Sequence, residues 1–145
     1  MNLINCKEFF LNISKLMTRE VATISTKENI INAAARMREL NVGSLVVVTK
    51  YEVEGIITTW DITSKCIAVG SNPAESLVFD YMTSPIHTGT TKMDVLDAAR
   101  IMAERKITRL PIMDENKLIG IITFADIANA LNQFTKDVAG SWKTE

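Results

Sequence analysis

Two segments of the sequence combine a glycine, a hydroxyl and an acid at the same spacing. The pattern Gly-x-x-Thr-x-x-Asp occurs at Gly55–Asp61 and again at Gly120–Asp126. The Thr and Asp of such a pattern can cap the N-terminus of a helix, which stabilises the helix by about 1 kcal/mol. The same geometry suits a ligand, because a helix N-terminus attracts phosphate and an ionised carboxylate accepts two hydrogen bonds from the vicinal hydroxyls of a ribose. The pattern alone leaves both interpretations open.

Few other residues offer chemistry. His87 is the only histidine, so the sequence provides no His-based metal site and no catalytic triad. Asp61 and Asp126 are the repeated candidates for acid catalysis, but a helix N-terminus keeps a carboxylate ionised and makes it a poor acid. We therefore expect a protein that is not an enzyme, with no catalytic residue, no metal site and no required cofactor.

Composition limits the class of protein. The chain has 145 residues, of which 47% are hydrophobic and 23% charged, as in an ordinary globular domain. Its formal net charge of -1 argues against nucleic acid and acidic membranes as partners. The apolar runs are too short to span a bilayer, and the first ten residues lack a signal-peptide core. Cys6 and Cys66 form no C-x-x-C pair, so we expect reduced thiols and a cytoplasmic location.

The chain repeats itself. Residues 17–62 align without a gap with residues 82–127, and 16 of the 46 pairs are identical, whereas ordinary amino-acid usage would give about three. The two Thr-x-x-Asp segments fall at the same place in the alignment. We expect two similar lobes related by a pseudo-two-fold axis.

Each copy predicts the same elements, in the order β-α-β-β-α, and therefore an α+β fold. Apolar residues at positions i, i+3, i+4 and i+7 give each first helix one buried face. Ser25 with Glu28, and Thr91 with Asp94, are candidate capping boxes for these helices. The predicted strands are 21–25, 45–49 and 53–58 in the first copy and 86–90, 110–113 and 118–123 in the second. The predicted helices pass through 30–37 and 60–69 in the first copy and through 95–102 and 125–134 in the second. Short lead-in helices are predicted over 11–16 and 74–81.

With these motifs and elements, the sequence resembles a pair of CBS domains, the module named after cystathionine β-synthase. The resemblance covers residues 11–134, with motifs at 11–69 and 76–134 and terminal extensions at 1–10 and 135–145. The two Gly-x-x-Thr-x-x-Asp segments match the end of the family pattern. Its other hallmarks are the openings Lys15–Thr18 and Phe79–Pro85 and the middle segment Arg105–Ile112.

The resemblance implies a function. CBS pairs form one compact module whose two clefts often bind adenosine-containing ligands, such as AMP, ADP, ATP or S-adenosylmethionine. The resemblance implies that the ribose is held by Thr58 and Asp61 in one cleft and by Thr123 and Asp126 in the other. The resemblance also implies that the adenine base contacts Val21, Ala22 and Thr23 in the cleft of Thr123 and Asp126. In the cleft of Thr58 and Asp61, the base is expected to contact Ile86 and His87. The resemblance also implies that the chain is a sensor that regulates an unknown partner, and that two CBS pairs form a homodimer.

The two copies differ at one informative position. The residue before Leu-Pro often contacts phosphate in the family, which selects Arg109, whereas the first copy has Ser44. An arginine gives phosphate a charge-assisted bidentate bond, and a serine offers a neutral hydroxyl. We therefore expect the two clefts to differ in affinity. Two alternatives stay open, namely a ligand-free structural or interaction module and a nucleic-acid binder.

Overall fold

The computed structural model describes residues 12–50 and 52–141, and the chain divides into two compact units. The central unit runs from Val21 to His87. Among the described residues, the terminal unit joins residues 12–20 to residues 88–141. Each unit contains one three-stranded sheet.

The central unit follows the predicted order of elements. Its sheet has the order β1-β2-β3, with β1 parallel to β2 and β2 antiparallel to β3. The second helix begins as a short α-helical turn and continues as a π-helix. The elements are β1 (Thr23–Ser25), α1 (Ile30–Leu40), β2 (Ser44–Val48), β3 (Val53–Thr58), α2 (Thr59–Asp61), the π-helix Ile62–Ile67 and α3 (Val78–Tyr81).

The terminal unit has the same topology. Its sheet order is β4-β5-β6, again with one parallel and one antiparallel pair, so the predicted α+β repeat is confirmed. Its second helix is α-helical throughout and longer than predicted. The elements are a 3-10 turn (Ile13–Lys15), β4 (Gly89–Thr90), α4 (Val95–Arg105), β5 (Arg109–Asp114), β6 (Lys117–Thr123) and α5 (Phe124–Ser141).

Each unit buries one face of its first helix against its own sheet. In α1 the buried residues are Ile30, Ala33 and Met37, and in α4 they are the aligned Val95, Ala98 and Met102. This is the predicted apolar face, although Ala34 on α1 is exposed. The sheets contribute further core residues, among them Leu45, Val47 and Ile57 in the central unit, and Leu110, Ile112 and Ile122 in the terminal unit.

The opening of each sequence copy, Lys15–Thr18 or Phe79–Pro85, pairs with the sheet of the other copy. Thr18 and Ile121 exchange two backbone hydrogen bonds of 2.9 Å, and Thr83 and Ile56 do the same at 2.8 and 3.1 Å. Gly55 permits this approach, because a Cβ there would lie 2.6 Å from the carbonyl oxygen of Thr83. The compact units are therefore not the same division as the sequence repeats.

The first helices begin later than predicted. The N-cap of α1 is Asn29, whose side chain accepts a hydrogen bond from the backbone N–H of Asn32 at 2.8 Å, and the N-cap of α4 is Asp94. The capping boxes predicted at Ser25 and at Thr91 are therefore wrong. Ser25 is the last residue of β1 and Thr91 lies in the turn before α4, and the Ser25 hydroxyl accepts from the N–H of Lys27 instead.

Other boundaries also shift. The strands predicted from residues 21 and 86 start at Thr23 and Gly89, and the lead-in helix predicted over 74–81 is confined to α3. The extension at residues 1–10 lies outside the described residues, whereas residues 135–141 continue α5.

Candidate functional site

The first Thr-x-x-Asp motif forms a complete capping box in the central unit. The hydroxyl of Thr58 accepts a hydrogen bond from the backbone N–H of Asp61 at 3.2 Å. In return, Oδ2 of Asp61 accepts from the backbone N–H and from the hydroxyl of Thr58, both at 2.9 Å. The motif sits where β3 turns into α2, as the sequence predicted, and Asp61 is buried at 5% exposure.

The second oxygen of Asp61 is also occupied. Its Oδ1 lies 2.7 Å from the ammonium nitrogen of Lys65, and the hydroxyl of Thr83 donates to it at 3.4 Å. The same ammonium donates to the carbonyl oxygen of Tyr81 at 3.3 Å and to the hydroxyl of Thr83 at 3.4 Å. Lys65 therefore ties the π-helix to the segment that follows α3.

The second motif has the same capping geometry in the terminal unit. Oδ2 of Asp126 accepts from the backbone N–H of Thr123 at 2.7 Å and from its hydroxyl at 3.0 Å, and the N–H of Asp126 donates to that hydroxyl at 3.2 Å. Within the described residues, Oδ1 of Asp126 accepts no hydrogen bond and forms no ion pair. Asp126 is also less buried than Asp61. One carboxylate oxygen is therefore open to a ligand.

Arg109 lies next to the second motif. It is the first residue of β5, and its register partner across the antiparallel pair is Thr123. The half-buried guanidinium donates to the hydroxyl of Thr108 at 3.1 Å, and no carboxylate of the described residues pairs with it. In the central unit the partner of Thr58 is Ser44. In the described part of the chain, a cation without a carboxylate partner thus accompanies the Thr123–Asp126 motif and not the Thr58–Asp61 motif.

The residues predicted to contact the base all lie in the central unit. Val21 and Ala22 precede β1, and Thr23 is its first residue. The carbonyl oxygen of Ala22 accepts from the N–H of Val46, and that of Thr23 accepts from Arg36. Ile86 is half-buried and His87 is exposed, and both precede the terminal unit. Their contact with a base stays a prediction.

Sequence reasoning missed Lys65 and Thr83. The spacing of Asp61 and Lys65, i and i+4, is a recognised helical ion-pair spacing and was available in the sequence. The aligned position in the second copy is Ala130, so the pair is specific to the first copy. The contact of Thr83 with Asp61 depends on the long-range pairing of the Thr83 backbone with Ile56, which the local sequence does not reveal.

The described residues lack two features that would indicate other kinds of site. No helix in this part of the chain is long and apolar enough to cross a membrane. No group of three or more His, Cys, Asp or Glu side chains in it lies close enough to hold a metal ion.

Comparison of the sequence with known families gives one consistent match. A model described as the CBS domain matches the chain twice, over residues 13–67 and 78–133. The chain is 35% identical over 130 residues to the CBS domain-containing protein YhcV of Bacillus subtilis, covering 90% of this chain and 91% of YhcV.

Solved structures with the same fold support this match. The hexameric CBS-CP12 protein from bloom-forming cyanobacteria has a TM-score of 0.76 at 31% identity, covering 81% of this chain and 70% of that chain. The structure of Hypoxic Response Protein I with two coordinated zinc ions has a TM-score of 0.74 at 27% identity, covering 82% and 98%. Hypoxic response protein 1 of Mycobacterium tuberculosis is 28% identical to this chain over 129 residues.

Proposed function

Because the chain belongs to the CBS-domain family, whose model matches both of its repeats, we propose that it is a sensor of an adenosine-containing ligand. Tandem CBS domains commonly act as regulatory modules that bind such ligands. The candidate ligands are AMP, ADP, ATP and S-adenosylmethionine. The proposed site comprises Thr123, Asp126 and Arg109.

The open oxygen of Asp126 is the observation that carries this proposal. Oδ1 of this carboxylate has no partner among the described residues, while Oδ2 is held in place by Thr123. A ribose has two adjacent hydroxyls that both donate, and an ionised carboxylate oxygen has two lone-pair positions. The capping box therefore fixes the orientation of the acid without using the atom that the ribose needs.

Arg109 supplies a partner for phosphate. Its guanidinium is not neutralised by a carboxylate of the described residues, and its strand position is directly opposite Thr123. Arginine binds phosphate through two parallel charge-assisted hydrogen bonds. A phosphorylated adenosine, with AMP the smallest, therefore fits this pair of residues better than a neutral nucleoside.

A binding module acts on a partner through a change in conformation. A ligand shifts such an equilibrium only as far as its affinities for the two states differ. We expect the regulated partner to be another protein and the chain to self-associate, as the hexameric CBS-CP12 protein does. Catalysis is not part of the proposal.

Thermal unfolding tests the proposed function. Millimolar AMP, ATP and S-adenosylmethionine are added separately, and the ligand that binds is expected to raise the melting temperature by several degrees. Ligand at one hundred times its Kd adds about 2.7 kcal/mol to the free energy of unfolding. Deoxyadenosine monophosphate, which lacks one of the two vicinal hydroxyls, is the matched control and should raise it less than AMP does. An unchanged melting temperature with all three ligands would support the structural alternative instead.

A further inference from the structure

The carboxylate of Asp61 has a full set of hydrogen-bond partners inside the central unit. An ionised carboxylate accepts at about four lone-pair positions. Thr58 fills two of them at Oδ2 through its backbone N–H and its hydroxyl. Lys65 and Thr83 fill the other two at Oδ1. No acceptor position remains for the hydroxyls of a ribose.

The carboxylate of Asp126 is only half occupied. It receives the same two hydrogen bonds from Thr123 at Oδ2, and its Oδ1 has no partner in the described part of the chain. Thr18 occupies the sequence position that aligns with Thr83, yet no bond from its hydroxyl reaches Asp126 in the described structure. The two motifs are alike in sequence and differ in how many acceptor positions they leave free.

Lys65 is the origin of this difference. It lies four residues after Asp61, on the π-helix, and the aligned residue after Asp126 is Ala130 on α5. All three ammonium protons of Lys65 have acceptors: Oδ1 of Asp61, the carbonyl oxygen of Tyr81 and the hydroxyl of Thr83. The lysine side chain is 45% exposed, and its ammonium group makes these three contacts at the protein surface.

We propose that Lys65 acts as an internal occupant of the first Thr-x-x-Asp motif, so that the chain binds one adenosine ligand at Asp126 and none at Asp61. This inference rests on the proposed function, because it assigns that function to one motif of the two. Lys65 is a positioning residue that acts through Asp61. The first motif then serves as a helix cap and as an anchor for the segment after α3.

Displacement of Lys65 by a ribose is unfavourable. The hydroxyls would replace an ion pair whose carboxylate is only 7% exposed. The released ammonium would also lose its bonds to Tyr81 and Thr83, while the ribose supplies only neutral donors. The contact between Lys65 and Asp61 adds the attraction between opposite charges to the hydrogen bond, and a neutral hydroxyl does not supply that attraction. Ser44 supplies no compensating charge for a phosphate at this motif.

Substitution of Lys65 tests the inference by a gain of binding. Calorimetric titration with AMP is expected to give one site per chain for the wild type and two for Lys65→Ala, the second site being weaker because Arg109 has no counterpart in the central unit. Lys65→Met keeps most of the aliphatic stem and should also show two sites. It provides the same test if the alanine variant fails to fold, which circular dichroism would show.

The reciprocal substitution is Ala130→Lys. It places a lysine four residues after Asp126 and is expected to weaken AMP binding at the terminal unit by at least about tenfold, which corresponds to the loss of one hydrogen bond to a charged group. Ala130 is half-buried on α5, and lysine has good helix propensity, so the variant should fold. Ala130→Met is the matched control of similar length without the charge, and it should bind AMP more tightly than Ala130→Lys.

The outcomes separate the inference from the proposed function. One site in the wild type and still one in both Lys65 variants would overturn the role of Lys65 and leave the function intact. Two sites in the wild type, or weaker binding after Lys65→Ala, would also overturn it. Failure of AMP, ATP and S-adenosylmethionine to bind the wild type and every variant would refute the proposed function, and the role of Lys65 with it.

Discussion

Replacement of Asp126 by alanine is expected to weaken AMP binding by about a hundredfold or more. The proposed ribose contact consists of two hydrogen bonds to the open oxygen of this carboxylate. Hydrogen bonds to charged groups each contribute about 1.5–3 kcal/mol, so the loss of two costs at least about 3 kcal/mol. A change of 1.4 kcal/mol is tenfold in Kd. Isothermal titration calorimetry of both proteins with AMP measures the difference.

Asp97→Ala is the matched control for this experiment. Asp97 occupies the same capping position on α4 that Asp126 occupies on α5, and its carboxylate accepts from the backbone N–H of Asp94 at 3.2 Å. Both variants lose a cap and about 1 kcal/mol of folding free energy, which urea unfolding measures. Only Asp126→Ala should bind AMP more weakly than the wild type does. An equal loss of affinity in both variants would mean that the effect comes from stability and not from a ribose contact.

The Arg109→Ala variant is expected to bind AMP at least about tenfold more weakly, because a charge-assisted bond to phosphate contributes about 1.5–3 kcal/mol. Adenosine has no phosphate, so its affinity should be the same for the variant and the wild type. The comparison of the two ligands therefore isolates the phosphate contact from any change in the fold. Calorimetry at constant ionic strength measures both affinities.

Arg100→Ala is the control variant for Arg109. Arg100 lies on α4 of the same unit, and its guanidinium is 3.7 Å from Oδ1 of Asp97 on an exposed surface. Its removal changes the net charge by the same amount and should leave AMP affinity unchanged. An Arg109→Ala variant with wild-type affinity for AMP would remove Arg109 from the site.

The fold was predictable from the sequence because both sequence copies show the same pattern of apolar residues. The apolar spacing of Ile30, Ala33 and Met37 marks a helix face, and its recurrence at Val95, Ala98 and Met102 makes chance periodicity implausible. The helix starts were less predictable. Several capping residues stand within one turn of each other before α1, and the choice of Asn29 over Ser25 depends on where the chain leaves the sheet.

The site was predictable only in part. Thr58, Asp61, Thr123 and Asp126 form the predicted capping geometry, which their spacing alone specifies. The difference between the two carboxylates was not predicted from them, because it depends on Lys65 and on Thr83. Lys65 could have been predicted from its position four residues after Asp61, which is a helical ion-pair spacing. Thr83 left no local signal, because its contact with the motif depends on the long-range backbone pairing of Thr83 with Ile56.

The binding of an adenosine ligand at the Thr123–Asp126 motif is tested most directly by a crystal structure of the chain grown with AMP. We expect the ribose hydroxyls within about 3.2 Å of Oδ1 of Asp126, which is hydrogen-bond distance. The phosphate should contact the guanidinium of Arg109, and Lys65 should still be paired with Asp61. A ribose bound to Asp61 with Asp126 empty, or AMP held elsewhere on the surface, would contradict this assignment.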